Sequence, residues 1–266
     1  MTIRKRFGQH FLIDGNVIRK IVAAIDPHRE EHFVEIGPGR GAMTLPLLAT
    51  GVRLEAIEID RDLARDLPGL LNSGRCTVHC ADALRFNFSS LAQPGEQLRL
   101  AGNLPYNIST PLLFHLLGQG SLFRDLHVML QKEVGERMTA SHGTRTYGRL
   151  TVTLALRCEV RRLFAISPGS FRPPPQVDSV FLRLVPHAHP LADPSTLARA
   201  DRLVGQAFTM RRKRLTNGLR GLLTAQQIEA AGLDGGARPE DLPPADWLRL
   251  ASVNAPLAND ATALSK

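Results

Sequence analysis

Apolar positions recur along this chain with two periods. "GNVIRKIVAAI" places Val17, Ile18, Ile21, Val22 and Ile25 on one helical stripe, which Asp26-Pro27 brings to an end. Short apolar runs of strand length follow: "HFVEIG", "VRLEAIEID", "CTVHCAD", "LRLAGNLPY" and "LHVMLQ". Helical segments sit among them: "AMTLPLLATG", "RDLARDLPGLLN", "PLLFHLLGQG" and "KEVGERMTAS". Strands alternating with helices at this spacing predict a parallel sheet with helices on both faces, an α/β fold. "SVFLRLVPH" adds a late strand with apolar alternation.

After Val185 the pattern changes. "PHAHPLADPS" reads as a linker, and from about Ser195 the signal is helical and local ("LARADRLVGQAF", "AQQIEAAGL", "PADWLRLAS") with no further strand. The predicted organisation is a catalytic α/β domain over 1–188 and a small all-α domain over 189–266. The last stretch, "NAPLANDATALSK", is expected to fray.

"FVEIGPGRGAMT" puts Gly37, Gly39 and Gly41 between a predicted strand and a predicted helix, where the backbone of an α/β protein meets a nucleoside ligand. The spacing is G-x-G-x-G. The dinucleotide fingerprint, G-x-G-x-x-G, has its third glycine one residue later, which counts against NAD or FAD. Glu58 lies 21 positions after Gly37 at the end of the next strand, near the offset expected for an acid that binds ribose hydroxyls; Asp60 is its rival. Asp82 ends the third strand, placed to accept from an adenine amino group. Taken singly, each acid reads equally as a solvated strand end, and Asp60 and Asp82 as helix caps. Together they describe an adenosine pocket without a second nucleotide's phosphate site, which S-adenosylmethionine fits.

"GNLPYNIST" follows at the end of the fourth strand. An isolated Asn-x-Pro-Tyr is a proline turn with a core tyrosine. Next to an adenosine pocket it has a second reading. An adenine amino group is a poor nucleophile because its lone pair is delocalised into the ring. Two acceptors, the Asn103 side-chain oxygen and the Leu104 carbonyl, would draw that nitrogen toward tetrahedral geometry, while Tyr106 stacks on the base. A base handled this way must first leave its stack.

Composition narrows the partners. The chain of 266 residues is 43% hydrophobic and 22% charged, as suits a globular core. It carries 33 Lys and Arg against 25 Asp and Glu, net +8, which favours a polyanion, nucleic acid first. Arg211, Arg212, Lys213, Arg214 and Arg220 cluster in "MRRKRLTNGLRG", and Arg4, Lys5 and Arg6 near the start; each cluster reads as a phosphate-binding face or a solvated one. "LQKEVGERM" pairs Lys132 and Arg137 with Glu133 and Glu136, a mixed surface helix. Three cysteines form no disulfide framework. Cys76 and Cys80 fall on one strand face and read as buried structural thiols. Nine histidines make no metal-spaced cluster, so no metal is expected. No segment approaches membrane-spanning length, and the basic start leads into no long apolar run, so a soluble, cytoplasmic protein is expected.

The motifs "KRFGQHFL", "VEIGPGRGAMT", "EIDRDL", "GNLPYNIST", "LQKEVGERM", "YGRLTV", "FRPPPQVDSVFLRL", "AFTMRRKRLTNGL" and "RPEDLPPADWLRLA" span almost the whole chain. In these the chain resembles the KsgA/RsmA ribosomal RNA adenine N6,N6-dimethyltransferases, relatives of the Erm resistance methyltransferases. The resemblance implies a Rossmann-like class I S-adenosylmethionine-dependent methyltransferase with a small helical C-terminal domain that binds RNA or the ribosome. It implies dimethylation of two neighbouring adenines in the hairpin near the 3′ end of 16S rRNA in the 30S particle, by a monomer with a part in subunit biogenesis. By motif, it implies a cofactor site of His10, Leu12, Gly37, Glu58, Asp82 and Asn103. Many relatives carry Asn where this chain has His10, a difference that a main-chain contact would survive. Asn103, Leu104 and Tyr106 carry base positioning, and Phe171 matches an aromatic near the reacting base; its alternative is a proline-rich turn packed on the sheet. The rivals are an Erm-type enzyme acting on large-subunit rRNA, a non-catalytic assembly or transcription factor on the same fold, and a DNA adenine methyltransferase. The C-terminal motifs, the intact cofactor motifs and the lack of a larger target-recognition domain count against them in turn.

Overall fold

The computed structural model describes residues 9–71 and 74–253. Arg4, Lys5, Arg6 and "NAPLANDATALSK" lie outside the described residues. The chain divides into two compact units, Met1–Gly135 with Val160–Pro186, and Glu136–Glu159 with His187–Lys266. The segment 136–159 thus groups with the helical residues, whereas composition had placed it in the 1–188 domain. Its apolar residues explain this. Tyr147, Val152 and Leu156 share a core with Leu203, Val204, Trp247 and Leu250. Arg157 also pairs with Asp201 at 2.6 Å.

The first unit is built on one large sheet. Its strands are β2 (His32–Ile36), β3 (Arg53–Glu58), β4 (Cys76–Cys80), β5 (Leu98–Asn103), β6 (Phe123–Gln131), β7 (Cys158–Ile166) and β9 (Ser179–Pro186). The order is β4-β3-β2-β5-β6-β9-β7. β2, β3, β4, β5 and β6 run parallel. β9 is antiparallel to β6, so the sheet is mixed where an all-parallel one was expected. β7 escaped the sequence reading because "CEVRRLFAI" shows no clean alternation; it is an edge strand exposed over much of its length. A small ribbon pairs β1 (Phe11–Leu12) with β8 (Phe171–Arg172).

The helix α1 (Gly15–Ile25) forms as its apolar stripe predicts. Asp14 caps it by accepting from the Asn16 and Val17 amides at 2.9 and 3.3 Å, and Ile21 and Ile25 are buried. Every residue of β2 is buried, as a central strand requires. The thiols depart from expectation. Cys80 is exposed and Cys76 only half-buried, because β4 is the other edge of the sheet; Cys158 is the buried thiol.

The second unit holds α6 (Arg149–Ala155), α7 (Pro194–Thr209), α8 (Leu215–Gly218), α9 (Ala225–Ala230) and α10 (Pro244–Ser252). Fully buried Trp247 anchors its core, and the buried Tyr147 hydroxyl donates to the Leu242 carbonyl at 2.7 Å. Arg211 is half-buried structural glue. It pairs with Glu240 at 3.2 Å and donates to the carbonyls of Arg145 and Thr144. Arg212, Lys213 and Arg214 are exposed. No helix among the described residues is long and apolar enough to cross a membrane.

Candidate active site

The strand order reverses between β2 and β5: β3 and β4 lie to one side, β6 to the other. Two chains leaving neighbouring parallel strands in opposite directions open a crevice at the strands' carboxyl ends. Gly37 follows β2 and Asn103 ends β5 there, and the two strands pair Ile36 with Gly102. A cavity of about 350 Å³ occupies the spot. His10, Leu12, Gly37, Glu58, Asn103, Leu104 and Tyr106 all line it. Asp82 and Phe171 are not among its lining. Asp82 turns its carboxylate to the Leu84 amide at 3.0 Å, and Phe171, 2% exposed, packs in the core beside Leu12, Phe33 and Phe181. Its neighbour Arg172 reaches the cavity instead.

The glycine turn has little room for side chains. Gly37 and Gly39 have φ of +70° and +57°, which side-chain-bearing residues rarely adopt. A Cβ on Gly39 would lie 3.1 Å from the Phe11 ring. Glu58 spans the turn: one carboxylate oxygen accepts from the Gly39 amide at 3.1 Å, the other from Asp60 at 2.9 Å. Burial raises the Glu58 carboxyl above its ordinary range, those amides oppose the shift, and the Asp60 charge adds to it. Asp60 caps α3 (Arg61–Asp66) and receives the Gln9 amide at 3.3 Å, so the cap reading holds for it.

Sequence reasoning passed over Glu35. It sits mid-strand in β2, 1% exposed, lines the cavity, and has one carboxylate oxygen without a hydrogen bond among the described residues. Burial pushes its carboxyl up to about 7; the Thr44 hydroxyl lies close enough to oppose this, though in poor hydrogen-bonding geometry, and the Glu58 charge adds to it. An acid inside an otherwise apolar strand, "FVEI", was the available signal. Pro38, Arg40, Ile59 and Met129 also line the cavity.

At the β5 end the Asn103 amide nitrogen donates to the His10 carbonyl at 2.9 Å. A carbonyl can only accept, so this bond fixes which way the amide points and leaves its oxygen to accept from a ligand. The His10 ring stacks on Tyr106 with centroids 5.7 Å apart and planes 26° from parallel. The Leu104 amide is spent on the Met129 carbonyl at 3.2 Å.

A cradle of glycines, a buried acid at the second strand end, and a cavity of about 350 Å³ that an oriented amide and a ring both line suit a nucleoside cofactor beside a second, flat substrate. The strand order and this site define a Rossmann-like, class I type methyltransferase fold. The dimethyladenosine transferase from Plasmodium falciparum is similar in structure (TM-score 0.77, 26% identity, 91% of this chain and 96% of that one). So is the 23S rRNA methyltransferase ErmE (TM-score 0.73, 26% identity, 92% and 100%). A family model for ribosomal RNA adenine dimethylases matches residues 1–255, and the chain belongs to that family. It is 50% identical over 248 residues to the ribosomal RNA small subunit methyltransferase A of Nitrosococcus oceani, covering 93% of this chain and 94% of that protein. The protein of the same description from Alcanivorax borkumensis is 48% identical, covering 96% and 91%.

Proposed function

We propose that this enzyme transfers methyl groups from S-adenosylmethionine to N6 of two adjacent adenines in the 3′-terminal hairpin of 16S rRNA. Each adenine is dimethylated within the 30S particle, by a cytoplasmic monomer that takes part in small-subunit biogenesis. The observation that carries the reading is the Asn103 amide, whose nitrogen is held by the His10 carbonyl at the edge of the cavity that Asn103 and Tyr106 both line, so that its oxygen is left to accept. The choice of small-subunit over large-subunit rRNA follows the small-subunit relatives, 50% identical, against 26% for ErmE.

Bound in the glycine cradle, the cofactor supplies an electrophilic methyl on a sulfonium. Glu58 would hold the ribose hydroxyls with the lone pairs its two amide bonds leave over, and His10 and Leu12, which line the same cavity, would border the cofactor through their main chain. Asp82, outside the lining, serves adenine only through the turn that it caps. Tyr106 stacks on the extruded base. The Asn103 oxygen and the Leu104 carbonyl would accept hydrogen bonds from the two N6–H groups, or from the one that remains in the second round, and localise the lone pair that forms the N–C bond as the donor's S–C bond breaks to leave a thioether. The spent proton leaves to solvent, and no strong base is required. Phe171 acts from the core by backing the β1–β8 ribbon. Arg212, Lys213, Arg214 and Arg220 meet RNA phosphates and make binding salt-dependent.

Mass spectrometry of the rRNA 3′ fragment tests this after undermethylated 30S particles meet enzyme and labelled donor. Two adjacent N6,N6-dimethyladenines are expected, and protein-free large-subunit rRNA should stay unlabelled. Label confined to the large-subunit rRNA would sink the small-subunit assignment. Asn103→Ala should lose about 10²–10³ in turnover, the scale of one oriented transition-state hydrogen bond, with donor affinity largely intact.

A further inference from the structure

We infer that Ser179 is a positioning residue for methyl transfer: from its place at the start of β9 it holds the hydroxyl of Tyr106 and thereby sets the angle of the ring on which the target base stacks. The inference rests on the adenine-methylation reading above and adds a residue that reading does not use. Ser179 is fully buried, and its Oγ lies 2.7 Å from the Tyr106 hydroxyl. Stacking on a base needs only the face of a ring, which phenylalanine supplies as well as tyrosine. The hydroxyl here points away from any ligand role and is bonded inside the protein.

The ring is held from a second direction too. His10 stacks on it, and the His10 Nδ1 contacts the Pro173 carbonyl at 2.8 Å, so that nitrogen carries the proton as donor. The carbonyl of that same His10 fixes the Asn103 amide. Ring and amide, the two groups that position the base, are therefore referred to one short segment, and Ser179 adds the contact that pins the hydroxyl end of the ring against swinging about the Tyr106 Cα–Cβ bond. The seat of Ser179 is rigid: β9 pairs antiparallel with β6 and sets Ser179 opposite Gln131, two residues beyond the Met129 carbonyl that holds Leu104. A misplacement of the stacked base relative to the donor is felt in the chemical step more than in binding.

The test is a double-mutant cycle of Ser179→Ala and Tyr106→Phe, with methylation kinetics on 30S particles, donor binding by calorimetry and thermal melting as readouts. Each single variant should lower kcat by about tenfold, the scale of one hydrogen bond, with donor Kd within about twofold of wild type. The double variant should be no slower than the slower single, because both remove the same bond. Additive losses, an unchanged kcat for Ser179→Ala, or a loss confined to donor affinity would each overturn the inference. If Ser179→Ala does not fold, Tyr106→Phe alone decides: unchanged kcat overturns the inference. Failure of the wild-type enzyme to methylate adenine would instead strike the parent reading, so the two failures are distinguishable.

Discussion

The two ends of the β2–β5–β6 sheet treat buried charge in opposite ways. At the amino ends of the strands Arg99, 4% exposed, is enclosed by partners. Its guanidinium meets Asp125 at 2.8 Å, Glu31 at 2.7 Å and the Ile25 carbonyl at 2.7 Å, and Arg183 reaches Asp125 at 2.9 Å. Burial by itself would raise the Asp125 carboxyl; Arg99, His127 and Arg183 hold it below the usual range. Toward the carboxyl ends Glu35 and Glu58 are as well buried, yet the partners described for them are backbone amides and one poorly oriented hydroxyl, with no cation, and both carboxyls are raised. Neutralised charge is architecture, and uncompensated charge beside a cavity marks where a cationic ligand belongs.

The contrast can be broken from either end. Arg99→Met leaves Asp125 buried without its chief cation and should lower stability by about 3–5 kcal/mol in urea unfolding, with turnover per folded molecule retained. Loss of turnover with full stability would reverse the assignment of that end. Glu35→Gln should do the opposite. The folded carboxyl titrates near 7 against an unfolded value of 4.5, so the wild-type protein free of cofactor is favoured below 4.5 and loses stability as pH rises from 4.5 to about 7. The variant should therefore be more stable at pH 8 by up to about 3 kcal/mol, with a flatter pH profile, and should bind donor more weakly. A variant as pH-sensitive as wild type would show that Glu35 is not the titrating group. Glu58→Gln turns an NH2 donor onto one of the two amides that the carboxylate serves. It should weaken donor binding by about ten- to a hundredfold in calorimetry and also lower the melting temperature, at a cost of about 1–3 kcal/mol for one unpaired buried donor. The smallest effect is expected at the turn. Gly39→Ala forces a side chain into φ +57° against the Phe11 ring, costing about 1–2 kcal/mol, seen as a lower melting temperature and weaker donor affinity.

Much of the first unit was legible because its signals are local. The stripe of α1 needs only side chains spaced along one helix, and the glycine turn needs only an apolar strand before it and a helix after it. The base motif at Asn103, Leu104 and Tyr106 was legible by register: it ends the strand that pairs with β2, so it had to arrive at the same edge as Gly37. Glu35 was hidden because a strand pattern reports burial without saying which face opens on a cavity. Of the two readings of Phe171 the structure takes the packed one, and the cavity receives Arg172, which sequence reasoning did not single out, since alternation along the β1–β8 ribbon sends one inward and the next toward the cavity.

What the sequence by itself determined is the set of elements, the chemistry at the ends of three strands and the family they share; these follow from periodicity and from residues adjacent in the chain. What only the tertiary structure decided is the antiparallel β9, the edge position that exposes Cys80, the passage of 136–159 to the helical core, and the meeting of His10, Tyr106, Pro173 and Ser179. Each of these joins residues far apart in the chain, and their encounter is set by packing and strand pairing, which no local pattern encodes.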